Sequence, residues 1–311
     1  MSLRVFRDLF GGAKSANYHR RKRARDRRTF LALSAPGLIW YMALMVWPLV
    51  YMFYISLLRW DGMLKPKTFI GLANYTRMFA DPHFRHAVVN TGIHLLVGIP
   101  AVMPIAFILG FFLSQRPAGY RLLRVIFFIP AMASVAALAM MFVGIYLPDG
   151  ILNTLLRGAG LEELTRTWLA NTKTALPAII AIDVWSGIGF YSVLFFAALS
   201  NVSDELYEAA LLDGAGLWTS MWRIAFPLTL DFFGLFTMLH FLWILLGAAQ
   251  NVLLLTKGGP GDHTLTLGYY LYDQAFLSRR LGYSQALGVF IFLIGVLGML
   301  IIRRLTTRNH E

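Results

Sequence analysis

Two ionisable side chains, Asp183 and His240, fall deep inside long apolar runs of this 311-residue chain. Groups of this kind are expensive in hydrocarbon and mark solute pathways, proton relays or internal pairs. A relay needs an ordered series of titratable groups, whereas these two stand on different segments, so pairing within a helix bundle or facing a watery cavity is the expected role. Near them in sequence, Trp185, Tyr191, Trp243, Gln250 and Asn251 place hydrogen-bonding groups beside aromatic faces. That combination holds a polyhydroxylated solute in an apolar pocket, although each residue taken singly also suits packing or interfacial anchoring. The two runs contain no Lys or Arg, which favours a neutral solute over a phosphorylated one. Asp231 lies close to the start of its run and is expected to be hydrated or to cap a helix.

Other chemistries lack their residues. There is no cysteine, so no disulfide framework, thiol nucleophile or zinc–thiolate cluster. The seven histidines include no His-x-x-x-His pair. A phosphate-binding loop requires glycines leading into Gly-Lys-Ser/Thr; 258–261 has no such lysine, and Gly12-Ala13-Lys14-Ser15 lacks both the upstream glycine and the Gly-Lys step. No catalytic residue, metal or cofactor is expected in this chain.

The elements that position the polar residues are membrane spans. The chain is 58% hydrophobic and 14% charged, with a mean hydropathy of +0.61. About 20 apolar residues cross the hydrocarbon core as a helix, and six runs qualify: 30–58, 87–114, 125–147, 175–200, 228–255 and 281–302. Barrel-type alternation is absent, so the expected class is an all-α integral membrane protein with six transmembrane helices. Ten of the 28 basic residues lie in the first 28 positions. A basic segment before a long apolar run is a cytoplasmic flank, and the run is too long for a cleaved signal. With this tail inside, 17 basic residues flank the cytoplasmic side and 11 the outer side, which places both termini in the cytoplasm. Residues 1–29 are thus a basic cytoplasmic tail and 30–311 a six-helix transmembrane domain in contact with lipid. The net charge of +12 comes without an aromatic-rich basic domain, so no nucleic-acid partner is expected. Pro36, Pro48, Pro100, Pro104 and Pro130 are read as tolerated kinks.

Segment 201–228 lies on the cytoplasmic side and carries Asp204, Glu205, Glu208 and Asp213 against one basic residue, Arg223. Asp204 and Glu205 suit a helix start, and Leu206, Ala209, Ala210 and Leu212 keep helical spacing. Gly214 and Gly216 break that helix, 217–224 supports a second one, and Pro227 closes the unit. On physical grounds the segment is either a docking surface or an amphipathic interfacial linker.

Glu208-Ala209-Ala210, followed at fixed intervals by Gly214, Ile224 and Phe226-Pro227, resembles the EAA signature of binding-protein-dependent ABC importer permeases, with Phe226 where the family usually has leucine. Further matches are Gly71-Leu72-Ala73-Asn74-Tyr75, Asn90-Thr91, 124–130 and the glycine-rich 256–261. The pattern is similar to the six-span subunit of maltose, oligosaccharide and glycerol-3-phosphate importers. The resemblance implies a type I importer architecture in the cell inner membrane, with coupling helices inserting into a cleft of an ATPase. Glu208, Ala209, Ala210, Asp213, Gly214, Ala215, Gly216, Ile224 and Pro227 are its expected coupling residues. It also implies a second homologous permease, two ATPase subunits that bind the ATP and Mg, and an external substrate-binding protein. The implied cargo is a sugar or oligosaccharide, with a glycerol-3-phosphate-type solute as the alternative. An ion-coupled secondary transporter would show an inverted repeat or ordered intramembrane charges, and neither is visible.

Overall fold

The computed structural model describes residue 30 and residues 33–62 and 64–306; the basic tail 1–29 and Arg308 lie outside the described residues. Six segments are long and apolar enough to cross a bilayer: Leu33–Ser56, Pro82–Ser114, Val135–Gly158, Ala175–Leu199, Leu230–Leu255 and Leu281–Thr306. They are numbered here as spans one to six. The strands among the described residues are one short antiparallel pair, Leu58–Arg59 with Thr68–Phe69. The chain divides after Tyr54 into two units. Within the first, the π-turn Met42–Val46 ends two residues before Pro48. Pro227 likewise follows the π-turn Met221–Ala225. Proline lacks an N–H and crowds the carbonyl four residues back, and a widened turn relieves both.

The second unit holds the remaining spans. Span two is a single helix of 33 residues, capped at its start by Asp81, whose side chain accepts the His83 N–H. It packs along span four, and the approach is tightest at Gly110, where an added Cβ would lie 2.5 Å from the Phe195 Cβ and 2.9 Å from the Phe196 nitrogen. Phe107, Phe111 and Phe195 fill the seam beside this crossing, with Phe107 and Phe195 meeting edge to face at 5.4 Å. Near the other end of span two, Met78, Phe84, Tyr270, Tyr283 and Leu287 form a second core.

The third apolar run departs from expectation. Instead of one helix over 125–147, the helix Tyr120–Met132 stops at extended Ala133, and Val135–Tyr146 starts anew. Pro130 removes a donor from the last turn of the first piece, and Ser134 caps the second by accepting the Ala137 N–H at 3.2 Å. The first piece lies against span four so closely that a Cβ on Gly189 would overlap the Phe127 carbonyl oxygen.

Candidate functional site

A cavity of about 370 Å³ opens between the broken third run and spans four and five, and its wall includes Asp183, Tyr191, His240, Trp243 and Asn251. Four of the six residues expected along a solute path therefore meet around one space. The other two do not line it: Trp185 packs edge-on to Phe142 at 5.6 Å, and Gln250 is exposed on another face of span five.

Asp183 is the centre of the arrangement, only 2% exposed. Its Oδ1 accepts the Asn251 side-chain N–H at 2.7 Å and the Trp243 indole N–H at 3.4 Å. A π-turn makes this possible. Trp243 and Asn251 are eight residues apart, which on a regular helix leaves them roughly 80° out of line. The π-turn Trp243–Gly247 absorbs one residue, which returns the two side chains to within roughly 20° of a common face.

Sequence reasoning missed a third ionisable group. His94, on span two and 1% exposed, puts Nε2 at 3.3 Å from Asp183 Oδ2. Its signal is a histidine standing inside the second apolar run. Two glycines border the histidines, and an added Cβ would be tightest against other neighbours: 3.0 Å from Ile244 at Gly98 and 3.3 Å from Val102 at Gly187, with the His94 and His240 rings at 3.4 Å. Tyr191 meets His240 edge to face at 5.2 Å.

The site is short of partners. Asp183 Oδ2, His240 Nε2, Asn251 Oδ1 and both His94 nitrogens are buried without a hydrogen bond among the described residues. A buried polar atom left in this state costs about 1–3 kcal/mol. A guest with several hydroxyls would meet the cavity-lining Asp183, His240 and Asn251, while the Tyr191 and Trp243 rings offer faces to its C–H surface. The lining contains no Lys or Arg, so nothing there compensates a phosphate.

Segment 201–228 forms the expected two helices with one difference. Asp204–Leu212 starts at Ser203, whose Oγ accepts the Glu205 N–H at 3.3 Å. It ends in a Schellman pattern, with Ala215 N–H to Ala210 C=O at 2.8 Å and Gly214 N–H to Leu211 C=O at 3.0 Å. Gly214 takes φ +79°, the left-handed region, whereas Gly216 has φ −75° and begins the next helix. Pro227 does not close the unit: helical structure runs through Leu217–Ser220, Met221–Ala225 and Phe226–Leu228, and the break falls at Thr229. A proline in the first turn after a π-turn needs no N–H partner, which is why the helix passes it. Glu208, Ala209, Asp213 and Gly214 are exposed and Ala210 is buried. Leu212 and Trp218 stand 91% and 57% exposed on the same segment. Phe226 and Trp222 anchor the second helix to Phe107 of span two, at 5.4 and 6.0 Å. Asp231 is exposed in the first turn of span five, where its charge suits the helix dipole.

At the other end of span two, the glycine-rich loop 256–266 folds back onto the helix. The Asn90 side chain donates to the Asp262 and Leu265 carbonyls at 2.8 and 2.9 Å, and the Leu267 N–H donates to Thr91 Oγ1 at 2.9 Å. His83 pairs with Asp262 at 2.6 Å. Tyr270 and Tyr283 both donate to Asp81 Oδ2, at 2.5 and 2.9 Å. Burial pushes the Asp81 carboxyl up, but these two donors and the His83 N–H outweigh it and hold the group below its ordinary 3.8. Burial, reinforced by the bond to Asp81, raises the Tyr270 phenol above its ordinary value.

Residues 102–310 match the family described as binding-protein-dependent transport system inner membrane component. The chain belongs to that family. Among curated relatives of this inner membrane component, a probable ABC transporter permease protein, YurN of Bacillus subtilis, is 32% identical over 83% of this chain and 89% of its own length. The diacetylchitobiose uptake system permease protein NgcF of Streptomyces coelicolor is 31% identical over 89% of this chain and 82% of its own. The fold agrees with a crystal structure of a bacterial ABC transporter involved in the import of the acidic polysaccharide alginate, with a TM-score of 0.79 at 20% identity, covering 93% of this chain and 99% of that one. As an inner membrane component with six apolar spans, the protein is a transport subunit.

Proposed function

We propose that this permease moves a neutral sugar or oligosaccharide across the membrane, powered by ATPase subunits that are separate chains. The observation that carries the reading is the cavity between spans four and five, where buried Asp183, His240 and Asn251 atoms lack hydrogen bonds beside Tyr191 and Trp243. Relatives named for diacetylchitobiose, lactose and arabinooligosaccharides support a carbohydrate cargo. The lack of cations in the wall argues against a glycerol-3-phosphate-type solute.

In this reading both termini face the cytoplasm, and the helices of 201–228 enter a cleft of the ATPase. Glu208, Ala209, Ala210, Asp213, Gly214, Ala215, Gly216, Ile224 and Pro227 form or hold the contact, with Leu212 and Trp218 as its apolar anchors. An external binding protein delivers the sugar at the opposite face, and a second homologous permease completes the path. ATP and Mg belong to the ATPases. Closure of the ATPases moves 201–228, and through Trp222 and Phe226 it moves span two, so that the cavity faces one side at a time.

The test is a detergent pull-down of the tagged chain, followed by ATPase assays with and without sugar-loaded binding protein. Recovery of an ATPase whose turnover rises with the loaded protein, and whose association fails when 208–214 is replaced, is the expected result. A chain that purifies alone and transports solute down an ion gradient overturns it.

A further inference from the structure

Beside the loop end of span two lies a second, larger crevice of about 900 Å³. Four cationic side chains line it, Lys65, Arg77, Arg279 and Arg280, with Asp61 as the one carboxylate in its wall. No ion pair joins any of the four to an acid among the described residues. Arg77 rests over the Tyr283 ring at 5.3 Å, and Arg280 is held through its own N–H to the Gln274 carbonyl at 2.7 Å. Phe276 in the same wall is 67% exposed. Arg279 is held at φ +56°, a left-handed conformation that non-glycine residues adopt at an energetic cost and that recurs at binding sites.

The position is informative. Span two begins five residues after Arg77 and ends at Ser114, which lines a small polar pocket with Asp204 and Tyr207 of the coupling helix. A helix of 33 residues is about 50 Å long at 1.5 Å per residue. The crevice therefore sits at the end of the molecule away from the ATPase contact. Membrane proteins concentrate basic residues on the cytoplasmic side, so four unpaired cations gathered around one outer crevice run against the general bias. Arginine beside an exposed aromatic ring is also the composition of protein-binding hot spots.

From this geometry we infer that the crevice lined by Lys65, Arg77, Arg279 and Arg280 receives an acidic projection of the external substrate-binding protein. The inference rests on the proposed importer function and adds the surface and its charge. Asp61 at the rim makes the recognition selective, because it repels an acidic group placed on that side. Opposite charges at such an interface steer the encounter, so the association should be fast and strongly salt-dependent.

The decisive experiment measures binding of the loaded binding protein to the complete transporter in nanodiscs, between 50 and 500 mM salt (concentrations of about this range span the screening regime). Wild type should lose affinity steeply as salt rises. The Lys65→Glu/Arg279→Glu transporter should bind about tenfold or more weakly at low salt, with a flattened salt response and unchanged basal ATPase rate. The Lys65→Arg/Arg279→Lys transporter should bind like wild type, which separates charge from folding. Unchanged binding by the charge-reversed transporter overturns the inference while leaving the importer function standing. A loss that appears only when anionic phospholipid is removed from the nanodisc also overturns it, assigning the crevice to lipid phosphate. If the wild-type transporter binds no external protein, the importer reading and this inference fall together.

Discussion

Asn251 donates to Asp183 across 2.7 Å, joining spans four and five through side chains 68 residues apart. A π-turn realigns Asn251 with Trp243 for this contact; the Asn251 oxygen is left without a hydrogen bond, and the second Asp183 oxygen faces His94 Nε2 at 3.3 Å. Asn251→Ala should lower stability by about 1–3 kcal/mol, the range for stranding a buried partner. Asn251→Asp should be worse than Asn251→Ala, because it sets two carboxylates against each other in a low-dielectric site. Denaturation of the purified complex in detergent gives the order, and an Asp variant as stable as wild type would contradict the assigned contact. Sugar uptake should fall in both.

The two glycines that follow the helix Asp204–Leu212 should behave differently. Gly214 holds φ +79° with nothing within 4 Å of an added Cβ, so its requirement is conformational and not steric. Gly214→Val should cut sugar-stimulated ATPase activity severely, and Gly214→Asn should retain most of it, since asparagine tolerates the left-handed region. Gly216, at φ −75° with open space around it, should accept alanine with full activity. Equal damage from Gly214→Asn and Gly214→Val would show that the turn geometry is not what matters.

Gly110→Ala should destabilise the membrane domain by about 1–3 kcal/mol, the usual penalty for overpacking. The methyl group would press on the Phe195 Cβ and the Phe196 backbone. Gly92, on the same helix with nothing within 4 Å, is the matched control and should accept alanine within about 0.5 kcal/mol. The comparison is read from unfolding midpoints in mixed micelles.

The Asp81 cluster sets an acid limit on stability. Its folded pKa lies below the ordinary 3.8, so the stabilisation is complete above that value and is lost as pH falls through the lower, folded-state one. Asp81→Asn should therefore melt lower at neutral pH, by about 1–3 kcal/mol, because it keeps the cap but removes the charge from the two tyrosine bonds. Its acid limb should be flatter than that of wild type. Tyr270→Phe should do the same in part. A wild-type melting curve that does not respond to pH around and below 3.8, or a variant curve parallel to it, would remove the assignment.

Much of this was written in local pattern. Six long apolar runs announced six spans, and the interval from Glu208 to Gly214 announced a short helix closed by a glycine turn. The break at Ala133 was hidden because Val, Ala, Leu and Met satisfy hydropathy equally well in one helix or two, and only Ser134 following Pro130 marked the joint. Pro227 misled for a related reason: proline is a stop signal in a regular helix but is accepted after a π-turn, and π-turns leave no composition signal. The same gap concealed why Trp243 and Asn251 share a face. His94 and the Asn90 and Thr91 bonds depend on partners 89 to 176 residues away, distances that no short-range periodicity encodes.

Span two has a mechanical consequence. It is one stiff rod longer than the bilayer core is thick, gripped by Trp222 and Phe226 towards one tip and by Tyr270 and Tyr283, through Asp81, at the other. Pro100 and Pro104 stand near its fulcrum. For a lever about 50 Å long, a rock of about 10° swings each tip by about 4 Å, more than the length of a hydrogen bond. The tyrosine clamp must therefore either ride with the rod or let go, and the state of that clamp becomes a gauge of how far the opposite tip has moved.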